Sequence, residues 1–163
     1  MKENLKVTKK PTGEAVTRYC YKNNLKICNT DGGLYSWNTT MNNSIEEGAR
    51  GICPSDFHVP TDIELKNLVE SQATAGCESV SGVDCAPAGI KLKLGGSSGF
   101  NVVFAGDRTD IGSFIDRGVE AHLWSSTEFG YFAWSRILYS GLSSVYREWE
   151  NKAFGFSVRC LKN

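Results

Sequence analysis

The sequence predicts an α+β fold in which two helices pack on a twisted antiparallel sheet and disulfides staple the loops. Three observations carry that expectation. Helix signals fall in the first half of the chain, a period-two pattern fills the last third, and six cysteines sit at spacings suited to cross-links. Helices ahead of strands, rather than alternating with them, are the order of an α+β chain.

Residues 1–19 are polar, with Leu5, Val7, Ala15 and Val16 as scattered apolar points, and read as an extended edge element with a turn at Pro11-Thr12-Gly13. Leu34, Trp37 and Met41 recur at helical spacing after Gly32-Gly33, which predicts a first helix. The clearest helix runs from Thr61 to about Ser71. Thr61 is a good N-cap, Glu64 three residues later completes a capping box, and Leu65, Leu68 and Val69 form the stripe to be buried. From Ala73 to Gly99 the chain is rich in Gly, Ser and Ala and reads as irregular, with one short apolar piece at Ile90–Leu94.

Beyond Phe100 the period changes to two. Asn101–Ala105 reads as a short strand followed by a turn at Gly106-Asp107. In Ala133–Tyr139, Trp134, Arg136 and Leu138 oppose Ser135, Ile137 and Tyr139. In Ser144–Glu150, Val145, Arg147 and Trp149 oppose Tyr146, Glu148 and Glu150. Phe154, Phe156, Val158 and Cys160 make a third alternating face, with turns at Ser140-Gly141 and Asn151-Lys152 between the three, so the C-terminus reads as an antiparallel meander.

Composition excludes several functions. Among 163 residues, 18 Lys and Arg balance 18 Asp and Glu, so no net charge steers the chain toward nucleic acid or an anionic membrane. No apolar run is long enough to span a bilayer. Met1-Lys2-Glu3-Asn4 is polar and charged, so an export signal is expected upstream of this segment. Cys20 with Cys28, and Cys77 with Cys85, look like local staples, which leaves Cys53 with Cys160 as a long bridge. Disulfides imply an oxidising compartment, extracellular or at a cell surface. Zinc is the weaker reading, since no C-x-x-C occurs and the only histidines are His58 and His122, both expected to be structural.

Six stretches in order resemble a known family: Tyr19-Cys20-Tyr21, Gly33-Leu34-Tyr35-Ser36-Trp37, Gly51-Ile52-Cys53-Pro54, His58-Val59-Pro60-Thr61-Asp62, Leu123-Trp124-Ser125-Ser126-Thr127-Glu128 and Gly155-Phe156-Ser157-Val158-Arg159-Cys160. Together they resemble the Fibrobacter succinogenes major paralogous domain over roughly residues 1–162. The resemblance implies one domain over 1–163, a C-type-lectin-like fold related to that of the formylglycine-generating enzymes, and a bacterial surface setting. Residues 124–160 also resemble the variable region of proteins diversified by retroelements, in which template adenines are mutated while framework positions stay fixed. Phe129, Gly130, Tyr131, Phe132, Ser135, Ile137, Tyr139, Ser140, Gly141, Leu142, Ser144 and Tyr146 are all reachable from an Asn codon by changing adenines. Trp149, Glu148 and Glu150 are not readily reached that way.

Those twelve residues are the candidate ligand-binding set. Tyr and Phe supply large rigid contact area, and Ser and Gly adapt to many shapes, as in an antibody paratope. The expected ligand is a protein or surface polymer, on a cell or a phage fibre. The alternative is a structural or adhesion module with no diversified site. Enzymatic activity is not expected. The oxidase-like relatives use a pair of C-terminal cysteines, and nothing between Cys85 and Cys160 supplies the second. No cofactor is implied, and no residue pattern sets an oligomeric state. The tripeptides of calcium-dependent lectins do not occur. Asp107, Asp110 and Asp116 read as solvated loop acids, with an incidental hard-cation site as the alternative. Arg136, Arg147 and Arg159 are expected to bridge carboxylates such as Glu128, Glu148 or Glu150 and so fix the sheet.

Overall fold

A computed structural model describes residues 3–10, 12–74, 77 and 82–163, with 82–84 described by their backbone. The fold is α+β. Its helices are α1 (Leu25–Asp31), α2 (Trp37–Thr40), α3 (Asp62–Gln72) and α4 (Ala88–Leu92). Its strands are β1 (Phe57–His58), β2 (Gly82–Asp84), β3 (Asp107–Arg108), β4 (Phe114–Ile115), β5 (Glu120–Phe129), β6 (Phe132–Tyr139), β7 (Val145–Asn151) and β8 (Leu161–Lys162). The main sheet is antiparallel in the order β2-β7-β6-β5, and β1-β8 and β3-β4 form two small antiparallel pairs.

The strong local signals form as read. Thr61 accepts the Glu64 N–H, and the Glu64 carboxylate accepts the Thr61 N–H at 2.8 Å, closing the capping box that starts α3. Leu65 and Val69 are buried beneath it and Leu68 is partly so. The weaker signals differ. Leu34 and Tyr35 are not helical but bridge Tyr19 and Phe156. The helix after them begins only at Trp37, capped by the Ser36 hydroxyl, and lasts four residues. Leu34, Trp37 and Met41 are buried all the same, so their spacing reports burial rather than a continuous helix. Helix α1, capped by the Asn24 side chain and stopped at Gly32 with φ of 91°, lacks an apolar stripe and was invisible to the period.

The meander is displaced by one strand. Its members are β5, β6 and β7, not β6, β7 and 154–160. Residues 155–160 instead thread the core through isolated bridges: Gly155 to Arg108, Phe156 to Tyr35 and, in parallel, Ser157 to Leu123. Residues 101–105 form no strand beyond a bridge at Val102, and Asp107 lies in β3 rather than in a turn.

Two apolar clusters cover the two faces of the sheet. Tyr35, Trp37, Ile52, Trp124 and Phe156 pack on one, and Val69, Leu92, Leu123, Leu138 and Val145 on the other. Disulfides Cys20–Cys28, Cys53–Cys160 and Cys77–Cys85 close the frame, the second spanning 107 residues. In the chain-entropy account a loop of that length contributes roughly 4–5 kcal/mol. No helix among the described residues is long and apolar enough to cross a membrane.

The polar groups of residues 124–128 wire this sheet to the loops around it. Trp124 donates to the Tyr35 carbonyl at 2.9 Å, and the Ser125 hydroxyl donates to the Trp134 carbonyl at 2.7 Å. The Ser125 carbonyl accepts from the Trp37 indole at 2.8 Å. The Ser126 hydroxyl accepts the Gly48 N–H at 2.9 Å and donates to the Pro60 carbonyl. Thr127 accepts the Asp62 N–H at 2.8 Å and donates to Glu47.

The arginines find a partner other than the expected glutamates. Asp62, in the first turn of α3, takes Arg136 from β6 and Arg147 from β7, at 2.5 and 2.8 Å. The Arg136 side chain is only 4% exposed. Arg159 donates to the Asn4 side chain at 2.8 Å and to the carbonyls of Phe100 and Asn101. Burial pushes the Asp62 carboxyl up, but the hydrogen bonds and charges of Arg147 and Arg136 outweigh burial and hold it below the usual carboxylate value. Removing one member of a buried ion group strands the others, at a cost of about 3–5 kcal/mol. Asp62→Asn is therefore expected to lose about 3 kcal/mol at neutral pH in urea unfolding. The Asp62 contribution is present above the ordinary carboxylate value and fades as pH falls through the depressed one, so the gap between parent and variant should close in acid.

Candidate ligand-binding surface

The predicted set divides into three places. The first is the β5–β6 hairpin tip. Phe129 and Phe132 face each other across a two-residue turn in which Gly130 takes a φ of 61°, the left-handed value this turn needs at its first central position. Tyr131, next in the turn, is 92% exposed and Phe129 51%. Phe129 packs 5.2 Å from the Trp134 ring and Phe132 4.6 Å from that of Trp149. The Arg147 guanidinium lies 3.3 Å from the Trp134 ring centroid. The Asp62 ion group, Arg147, Trp134 and Phe129 thus form a continuous stack from α3 to the tip.

An open cleft of about 740 Å³ adjoins the tip. Gly130, Tyr131, Lys152, Tyr19, Asn38 and Arg108 are among its lining residues. Arg108 stacks 4.1 Å from the Tyr19 ring centroid, which fixes both. Lys152 bonds Glu128 at 2.7 Å and lies over the Trp37 ring.

The second place is the far end of β6, seven residue steps or about 23 Å from the tip. There Tyr139 and Tyr146 meet edge-on at 5.1 Å, both partly exposed. Ser140, Gly141 and Leu142 are exposed beside them, and Ser144 is half-buried. The set is therefore not one contiguous patch.

The third place is the interior. Ser135 and Ile137 are 0% and 4% exposed, which corrects their expected outward position. Alternation assumes one wet face, but the middle of β6 is covered on both sides, so residues 133–138 are all buried. The Ser135 hydroxyl is already committed to the Glu148 carbonyl at 3.2 Å.

The sheet register shows what was missed. Residues directly opposite share a face. One face carries Glu120, His122 and Trp124 of β5, Ser135, Ile137 and Tyr139 of β6, and Tyr146, Glu148 and Glu150 of β7. Asp107 joins its edge, because the preceding Gly106 bridges Ala121 in parallel. Asp107 is 3% exposed, so it is not a solvated loop acid. Asp110 lines the cleft instead, and among the described residues no three His, Cys, Asp or Glu side chains are arranged to hold a metal. The period-two pattern of Tyr146, Glu148 and Glu150 held the signal for this face. Trp149, which an Asn codon does not readily reach, is 44% exposed beside the tip. Arg108, Asp107 and Glu120 lie on segments with no readable period.

His122 is also buried, with Nε2 2.8 Å from a Glu120 oxygen and its ring 4.5 Å from that of Phe156. Cys160, the residue in common with the oxidase-like motif, has its sulfur in a disulfide.

Burial pushes the Asp107 carboxyl up to about 6, with the Asp116, Glu120 and Glu150 carboxylates adding to the effect against the opposing pull of His122. A raised carboxyl value favours the native state at low pH, and that advantage is lost as pH rises through the folded value. Asp107→Asn is expected to be more stable than the parent at pH 8, by up to roughly 3 kcal/mol, and not below pH 4. Thermal unfolding at the two pH values reads the difference.

No curated protein and no solved structure matches the chain. The family model for the Fibrobacter succinogenes major domain matches residues 1–162. Its span takes in the disulfides, the capped helix α3 and the wired strand β5 alike, and the chain belongs to the Fibrobacter succinogenes major domain family.

Proposed function

We propose that this chain is a non-enzymatic, C-type-lectin-like ligand-binding domain displayed outside the cell, which binds through the β5–β6 hairpin tip and the cleft beside it. One observation carries the reading: Phe129, Tyr131 and Trp149, exposed by 51%, 92% and 44%, gather at one end of the main sheet. Exposed aromatics in a cluster mark interaction sites more often than chance solvent contact. They bring contact area at little rotamer cost, and the charged and amide groups of the cleft supply directional bonds. The ligand is a protein or surface polymer. Three disulfides support an oxidising, extracellular setting.

The retroelement reading rests on codon composition and is restricted by burial. Positions 129–132 and 139–146 hold most of the residues that can vary without disturbing the core, whereas Ser135 and Ile137 cannot.

Binding of the purified domain to intact bacterial cells and to immobilised surface polysaccharides tests the site. Phe129→Ala with Tyr131→Ala should weaken binding at least tenfold while the melting temperature stays within a few degrees. Undiminished binding by that variant would place the site elsewhere. Flanking DNA tests the diversification: a near-copy of codons 124–160 beside a reverse transcriptase should mismatch at template adenines and spare codons 135 and 137. A flank with neither element sinks the retroelement reading alone.

A further inference from the structure

We propose that the face of β5, β6 and β7 bearing the glutamates is a second, separate binding site, a cup for an organic cation such as an ammonium or guanidinium group. Its floor is Ser135 and Ile137, both buried. Its walls are Asp107 and His122 on one side and Glu148 and Glu150 on the other, with Glu120 and the Tyr139–Tyr146 pair at one end. Glu120, Glu148 and Glu150 are half-buried, so the solvent-facing boundary of this acidic face runs through them.

Two buried atoms show that something is needed there. Asp107 Oδ1 and His122 Nδ1 have no hydrogen-bond partner, although their residues are 3% and 6% exposed. A buried polar atom without a partner costs about 1–3 kcal/mol and is rare in a native protein. The ionised Asp107 oxygen is an acceptor, so the missing group supplies at least one donor to it.

The surrounding charge says what kind of donor. The charged groups acting on Asp107 are His122, Asp116, Glu120 and Glu150, and those acting on Glu150 are His122, Glu148 and Glu120. Among these described neighbours His122 is the one basic side chain. Five carboxylates around one imidazole make a strongly negative depression, which low local dielectric reinforces. A resident water supplies donors but no charge. A calcium ion needs six to eight converging oxygens, and no three candidate ligands here are arranged for a metal. An ammonium or guanidinium fits better. It donates along several directions over a wider span, and the partly exposed tyrosine rings offer faces on which a cation is stabilised. The cup differs from the tip in position and in chemistry, so it stands or falls independently of the proposed aromatic site.

The test is a chemical-shift titration of the full chain at pH 7.5 with four probes: a blocked Gly-Lys-Gly peptide, a blocked Gly-Arg-Gly peptide, putrescine and calcium chloride. Saturable shifts of the His122 ring and of the Ser135 and Tyr146 amides are expected with an organic cation. Response to the peptides identifies a basic protein side chain as the ligand, and response to putrescine alone identifies a free amine. Asp107→Asn and Glu150→Gln should each weaken the response at least tenfold. Asp107→Asn removes a buried charge and is expected to fold, and the parent titration stands without it. Absence of saturable shifts with all three organic cations overturns the proposal. So does saturation by calcium in their place, or a response unchanged in both variants.

Discussion

The structure depends above all on one carboxylate. Asp62 begins helix α3, and its side chain holds Arg136 of β6 and Arg147 of β7 at once. An acid in the first turn also suits the positive end of the helix. Such an ion group need not be more stable than an apolar packing of the same volume, but it fixes one arrangement of Asp62, Arg136 and Arg147 here. Here that arrangement docks α3 over two adjacent strands and sets their side chains in register. Arg147 then lies on Trp134, and Trp134 supports Phe129 at the hairpin tip. The exposed aromatics thus rest on a stack that begins at the helix.

Much of the rest of the frame is held by bonds that do not pass through that tip. Trp124 bonds Tyr35, Ser125 bonds Trp134 of β6, Ser126 bonds Gly48 and Pro60, Thr127 bonds Glu47 and Asp62, and Glu128 anchors Lys152. The 107-residue disulfide ties the segment before α3 to the end of the chain. The acidic face is different. Its buried Asp107 and His122 carry atoms without a hydrogen-bond partner, the observation on which the proposed cation site rests.

Local features were legible in the sequence and long-range ones were not. Thr61 and Glu64 announce α3 because the capping box needs only three residues of context. Strands β6 and β7 show through their alternation. Strand β5 does not, because Ala121 to Ser126 are buried on both faces and no alternation survives. For the same reason Ser135 and Ile137 read as outward when they are not. The partner of Arg136 and Arg147 lies 74 and 85 residues away. The nearby glutamates were therefore the natural but mistaken expectation. Tyr131 and Phe129 were readable as surface because they fall where no core period runs, whereas the acid cup could be found only once the register was known.

The frame and the proposed recognition surface should be energetically separable. The most direct measurement is the melting temperature of a variant with Phe129, Tyr131, Ser140 and Leu142 all replaced by residues of different size and polarity. The account predicts a cooperative transition within a few degrees of the parent, since exposed positions of this kind each shift stability by about 0.5 kcal/mol or less. A fall of tens of degrees, or loss of cooperativity, would show that the surface is part of the core and contradict the account.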